Sequence, residues 1–252
     1  MNLSIRFCNL LRICSFAIVI AGSTGCGSGG GSYALVASVN KTAGDVTTSG
    51  ASSGVGACRG TSYLPNYANG IDPADGLPNR LYHWQQFPVT IYIQSSSYTT
   101  PMLLQQIETG FNWWVNSTSG LVSYQIVNNP AQADITVQFE AKGMTGYGAL
   151  TSYSVDGSGN ILPGATITFN MTYLSQVADI TPVAAHEFGH ALGIAGHSDQ
   201  ATDVMFDGPS TYSLTGLSNR DVNTLLTAYC GVARSVPVSP GVLTEQCKII
   251  KN

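Results

Sequence analysis

Charge is what this sequence has least of. Asp, Glu, Lys and Arg make up 10% of its 252 residues, against roughly a quarter in ordinary soluble domains. Ten basic residues face fourteen acidic ones, for a formal charge of −4. No cluster of Lys or Arg occurs, which excludes the electrostatic footprint of a nucleic-acid binder. No internal repeat is visible. The apolar run over residues 13–21 is too short to span a bilayer as a mature helix. Ser, Thr, Gly and Asn fill the places that charges leave, giving a polar, weakly charged surface that suits an exported protein better than a cytosolic one.

What is present is an ordinary apolar fraction, 44%, and length enough for one medium domain with a core, plus extensions. Residues 1–25 read as a signal peptide: Arg6 and Arg12 open it, and the apolar run follows. The Ser23-Thr24-Gly25-Cys26 stretch resembles a bacterial lipoprotein signal, with Ser23 where an aliphatic residue is usual. On that resemblance Cys26 is the lipidated residue, and the protein is an outer-membrane or cell-surface lipoprotein; simple secretion is the other reading. Residues 26–79 form a Gly/Ser-rich tether and irregular lead-in, residues 80–230 the folded domain, and residues 231–252 a C-terminal tail. Of six cysteines, Cys58, Cys230 and Cys247 remain beyond Cys26. One disulfide is expected in an oxidising compartment, and any of the three pairings is open.

Within the domain, the alternation at 89–93 predicts a strand. A helix follows from Pro101 to about Asn116, capped by Thr99 or Thr100, with Leu103, Leu104, Ile107, Phe111 and Trp114 on one face. Further strands are expected at 122–127, 135–139, 147–153 and 165–169. A helix begins at Thr181 as cap with Pro182 first, and ends near Gly193. The last helix opens at Ser218 with Asp221 in a capping-box position and runs to about Tyr229. The physical reading is α+β: a mixed twisted sheet with two helices packed on it and a C-terminal helix.

Three of the four histidines fall in the twelve residues from His186 to His197. His186 and His190, four apart, share a helix face, and Glu187 stands beside the first. This is the H-E-x-x-H arrangement, in which two imidazoles bind zinc and the carboxylate serves as general base. Gly193 lets the helix stop and turn His197 back as a third ligand. Three residues, Ile194, Ala195 and Gly196, separate that glycine from His197. If the turn carries His197 elsewhere, Asp199 or Asp203 takes its place.

The stretch His186 to Gly193, with His197 and then Met205 eight residues on, resembles the zinc signature of the metzincins and its matrixin branch. The family pattern has two residues between the glycine and the third histidine. The resemblance implies a metzincin-like fold and a zinc endopeptidase with one catalytic Zn2+. It implies Met205 as a packed floor below the ligands. The implied substrate is a protein or peptide lying along the edge at Gly148, Ala149 and Leu150, with Tyr212 in the pocket wall. The family's cysteine switch is not matched at Cys58. His83 alone does not make a second zinc site. Asp156-Gly157-Ser158-Gly159-Asn160 reads as a hairpin turn or, alternatively, a structural calcium loop. A monomer is expected. Two rivals stand beside this reading: a surface binding or adhesion lipoprotein on the same scaffold, and a hydrolase of non-peptide amides.

Overall fold

The computed structural model describes Cys58 and residues 63–140, 146–208, 213–231 and 241–248. Its main sheet has six strands in the order β3-β2-β4-β6-β5-β8. These are β2 (Val89–Ile93), β3 (Tyr124–Ile126), β4 (Ile135–Glu140), β5 (Tyr147–Val155), β6 (Ala165–Asn170) and β8 (Gly241–Lys248). β3, β2, β4 and β6 run parallel; β5 is antiparallel to β6, and β8 to β5. A separate antiparallel pair joins β1 (Arg80–Leu81) to β7 (Ile194–Ala195).

The period-2 pattern explains which face is buried. Val89 and Ile91, Ile135 and Val137, and Ala165, Ile167 and Phe169 are all inside. Helix α1 (Pro101–Ser117) lays Leu103, Ile107, Phe111 and Trp114 into the core. Thr100 caps it, accepting from the Leu103 N–H at 3.2 Å, and Pro101 needs no donor in the first turn. A short helix α2 (Met171–Leu174) follows β6.

Helix α3 (Thr181–Ala191) carries the first two histidines and is buried at every residue. Thr181 begins the helix rather than capping it. The cap position is Ile180, which has no side-chain acceptor, and the Thr181 N–H is taken by the Asp179 carboxylate at 2.9 Å. α1 grips α3 closely. Phe111 stacks on Phe188 with centroids 4.3 Å apart, and the Trp114 indole donates to the Ala185 carbonyl at 2.7 Å. At the other end the Trp84 indole and the Tyr229 hydroxyl donate to the Ala191 and Leu192 carbonyls, at 2.8 and 2.7 Å. These satisfy acceptors that a helix terminus leaves open.

α4 (Asn219–Leu226) opens with the capping box of Ser218 and Asp221, and continues as a π turn over Thr227–Gly231. A disulfide joins Cys58 to Cys230, settling one pairing of the three. β8, at the far edge of the sheet, lies in what the sequence suggests is only a tail. Residues 63–79, which read as lead-in, pack on the same body. Tyr67 is buried, and its hydroxyl donates to Asp221 at 3.0 Å.

Candidate metal centre

His186 and His190 leave one face of α3 with ring centroids 4.7 Å apart and Nε2 atoms 3.0 Å apart. Each Nδ1 sits 2.7 Å from a backbone carbonyl, Val204 for His186 and Ile194 for His190. A carbonyl only accepts, so Nδ1 carries the proton and Nε2 presents its lone pair. Two such lone pairs repel unless a cation lies between them. Burial pushes the His186 imidazole down to about 3, helped by the positive charge that His197 can carry, and holds His190 well below its usual range for the same first reason. Both are neutral at ordinary pH, the form that binds metal.

His197 completes the group. The chain leaves α3 through Gly193 at φ 112° and reaches His197 through Gly196 at φ 111°, conformations only glycine adopts readily. Between them β7 pairs with β1, and the Tyr82 N–H donates to the Gly193 carbonyl at 2.8 Å. The three-residue link is therefore not a loose loop but a short strand on a partner. It sets the His197 ring 5.4 and 5.0 Å from those of His186 and His190. One ligand atom from each of the three lies within 4.8 Å of the others, and all three residues are buried. Three buried imidazoles, two of them of fixed tautomer, are a donor set suited to zinc.

Neither aspartate competes. Arg220 donates to the Asp199 carboxylate at 2.8 Å, and that hydrogen bond, with the guanidinium charge, holds the carboxyl low. Asp203 accepts from the Ser198 hydroxyl and lies 3.3 Å from Arg220. His83 is packed away from the cluster against Tyr229.

Glu187 is fully buried, and its Oε2 accepts from the Thr151 hydroxyl at 2.6 Å. Thr151 belongs to β5, where Ala149, Thr151, Tyr153 and Val155 alternate inward. Nothing near Thr151 in sequence marks it as functional; the available signal is a polar residue at an inward position of a strand. Met205 is wholly buried and packs against α3 at Gly189. A Cβ on Gly189 would stand 2.4 Å from its sulfur and 2.7 Å from Trp114, so the glycine inside the helical motif lets the methionine close on it. Asp221 fixes that turn by accepting from the Val204 and Met205 N–H groups at 2.8 and 3.3 Å. Burial, the largest influence, raises its pKa.

The expected substrate edge is different from a bare strand. β8 pairs along it, with Ala149 opposite Cys247 and Leu150 opposite Gln246; a shift in register between Tyr147 and Ala149 skips Gly148. Tyr212 and Cys26 lie outside the described residues. In the 156–160 turn, Asp156 accepts from the Ser158 and Asn160 backbone N–H groups and the Asn160 amide, at 2.8, 2.9 and 2.7 Å. The Asn160 side chain is the main reason its carboxyl sits low.

Comparison with known proteins points the same way. The matrixin family profile matches residues 83–230, more than half of the chain. Karilysin from Tannerella forsythia is 34% identical over 132 residues, 46% of this chain and 26% of the relative. The chain thus matches about a quarter of that relative's length.

Proposed function

This chain belongs to the matrixin family, and we propose from that premise that it is a zinc endopeptidase. The observation that carries the reading is the joint geometry of the site. Three imidazoles converge, two with Nδ1 on backbone carbonyls, and a buried carboxylate beside them is held by a hydroxyl. His186, His190 and His197 are the residues that would hold the zinc. Zinc, when bound, supplies Lewis acidity, acidifying water and polarising a peptide carbonyl. Glu187 accepts the proton of the attacking water and returns it to the leaving amine. Thr151 keeps the carboxylate turned towards that task. Met205 and Asp221 hold the floor on which the imidazoles stand.

The substrate on this reading is a peptide segment in extended form, adding to the sheet at β5. Since β8 occupies that edge, substrate enters at Gly148, Ala149 and Leu150 as β8 gives way. The signal-like start, with Cys26, supports export of the enzyme and its anchoring by lipid. Among the described residues no helix is long and apolar enough to cross a membrane.

A buried carboxylate is costly to desolvate, and a scaffold that merely binds partners has no use for Glu187. The test is cleavage of casein or a peptide library by the whole chain, with zinc analysis before and after chelation. Stoichiometric zinc without cleavage would favour the adhesion reading. Glu187→Gln is expected to keep the zinc and lose about 10²-fold or more of the cleavage rate; full activity in it would remove Glu187 from the mechanism.

A further inference from the structure

The three ligand imidazoles are not held alike. His186 and His190 give their Nδ1 protons to neutral backbone carbonyls, but His197 gives its proton to a charged side chain. Asp72 Oδ2 and Oδ1 lie 3.1 and 3.2 Å from His197 Nδ1, and Asp72 is only 4% exposed. Asp72 precedes the segment that matches the family and sits in what reads from sequence as lead-in. We propose that Asp72 is a positioning residue for the third ligand, an inference that rests on the zinc reading of the site.

The hairpin around Asp72 is built to hold it. The Asp72 N–H donates to the Leu77 carbonyl at 2.7 Å, and the Gly76 N–H to the Asp72 carbonyl at 2.8 Å. The Ala74 N–H donates to Asp72 Oδ1 at 2.8 Å. The same hairpin reaches the ligand's backbone, because the Asn79 amide donates to the carbonyls of Tyr67 and His197 at 2.9 and 3.2 Å. Gly196 fits beneath: a Cβ there would stand 2.1 Å from Asn79 Oδ1 and 3.3 Å from Asp72 Oδ2. Residues 70–79 therefore brace the wide turn on both its backbone and its imidazole.

The carboxylate has a specific chemical consequence. A charge-assisted bond to Nδ1–H is roughly twice as strong as a neutral one. It fixes the ring orientation and makes Nε2 a better donor to a cation. A plain turn role would need only an oxygen for the Ala74 N–H, which asparagine supplies equally well.

That difference gives the test. Asp72→Asn preserves the turn acceptor and removes the charge. Zinc affinity of the full chain, measured by competition with a chromogenic chelator, is expected to fall about 10- to 100-fold in it. The visible absorption of the cobalt-substituted protein is expected to shift. Asp75→Asn, at an exposed turn carboxylate that accepts from the Leu77 N–H, is the control and should keep wild-type affinity. Wild-type affinity and cobalt spectrum in Asp72→Asn would overturn the proposal. If that variant does not fold, nitrogen-15 spectra of the zinc-loaded wild type decide: a protonated His197 Nδ1 with its proton far downfield is expected, and an unprotonated Nδ1 overturns it. Failure of the wild type to take up stoichiometric zinc would instead sink the zinc reading itself.

Discussion

At the scale of single residues, the Thr151 hydroxyl sets what Glu187 can do. Replacing it with valine keeps the shape and leaves a buried carboxylate short of a donor, a loss of about 1–3 kcal/mol. Thr151→Val is expected to lower kcat about tenfold with zinc content unchanged, and Thr151→Ser to restore most of it, both read by peptide cleavage. The histidines give a pH prediction. With its folded pKa near 3 against about 6.5 unfolded, His186 takes up its proton in the unfolded chain first. The chelated protein therefore loses stability as pH falls from about 6.5 towards 3, by several kcal/mol at most. Urea unfolding at pH 7, 5 and 4 measures this; a flat profile would contradict it. His186, Glu187, His190 and His197 were all legible in the sequence because their chemistry fixes their spacing. Asp72 was not, because in a stretch rich in Asn, Asp, Gly and Pro every such residue is already explained as a turn former.

Among the elements, the β1–β7 pair is what makes the unusual spacing before His197 workable. Its dependence on Gly196 is testable. Gly196→Ala adds a methyl at φ 111° against Asn79, costing about 1–3 kcal/mol of backbone strain besides the collision. Weaker zinc binding and a lower melting temperature are expected together, measured by chelator competition and thermal unfolding; wild-type values for both would refute the brace. β2, α1 and β4 could be placed from alternation, capping and Pro101, since local signals there agree with the fold. β1 and β7, two residues each, carry no periodicity to read. β8 reads as tail because its pairing is with β5, far away in sequence. The α3 cap sits one residue before Thr181, because Asp179 rather than Thr181 supplies the acceptor.

For the whole molecule, the Cys58–Cys230 link closes a loop of 172 residues in sequence. In the chain-entropy account this stabilises the folded state by about 5 kcal/mol at most. It ties the segment before the Asp72 hairpin to the π turn that follows α4. β8 has a consequence of a different kind. A strand tethered to the body it pairs with behaves as a competitor at an effective concentration in the millimolar range. A free peptide far below that concentration meets an edge that is already taken. Leu243→Pro together with Thr244→Pro removes an N–H on each side of the strand, so at least one bond to β5 is lost whichever way it faces. Turnover of dilute short peptides is expected to rise about tenfold or more, and an unchanged rate in a folded variant would show that β8 does not compete. On the proposed peptidase reading, turnover then has a threshold in substrate concentration, set by β8.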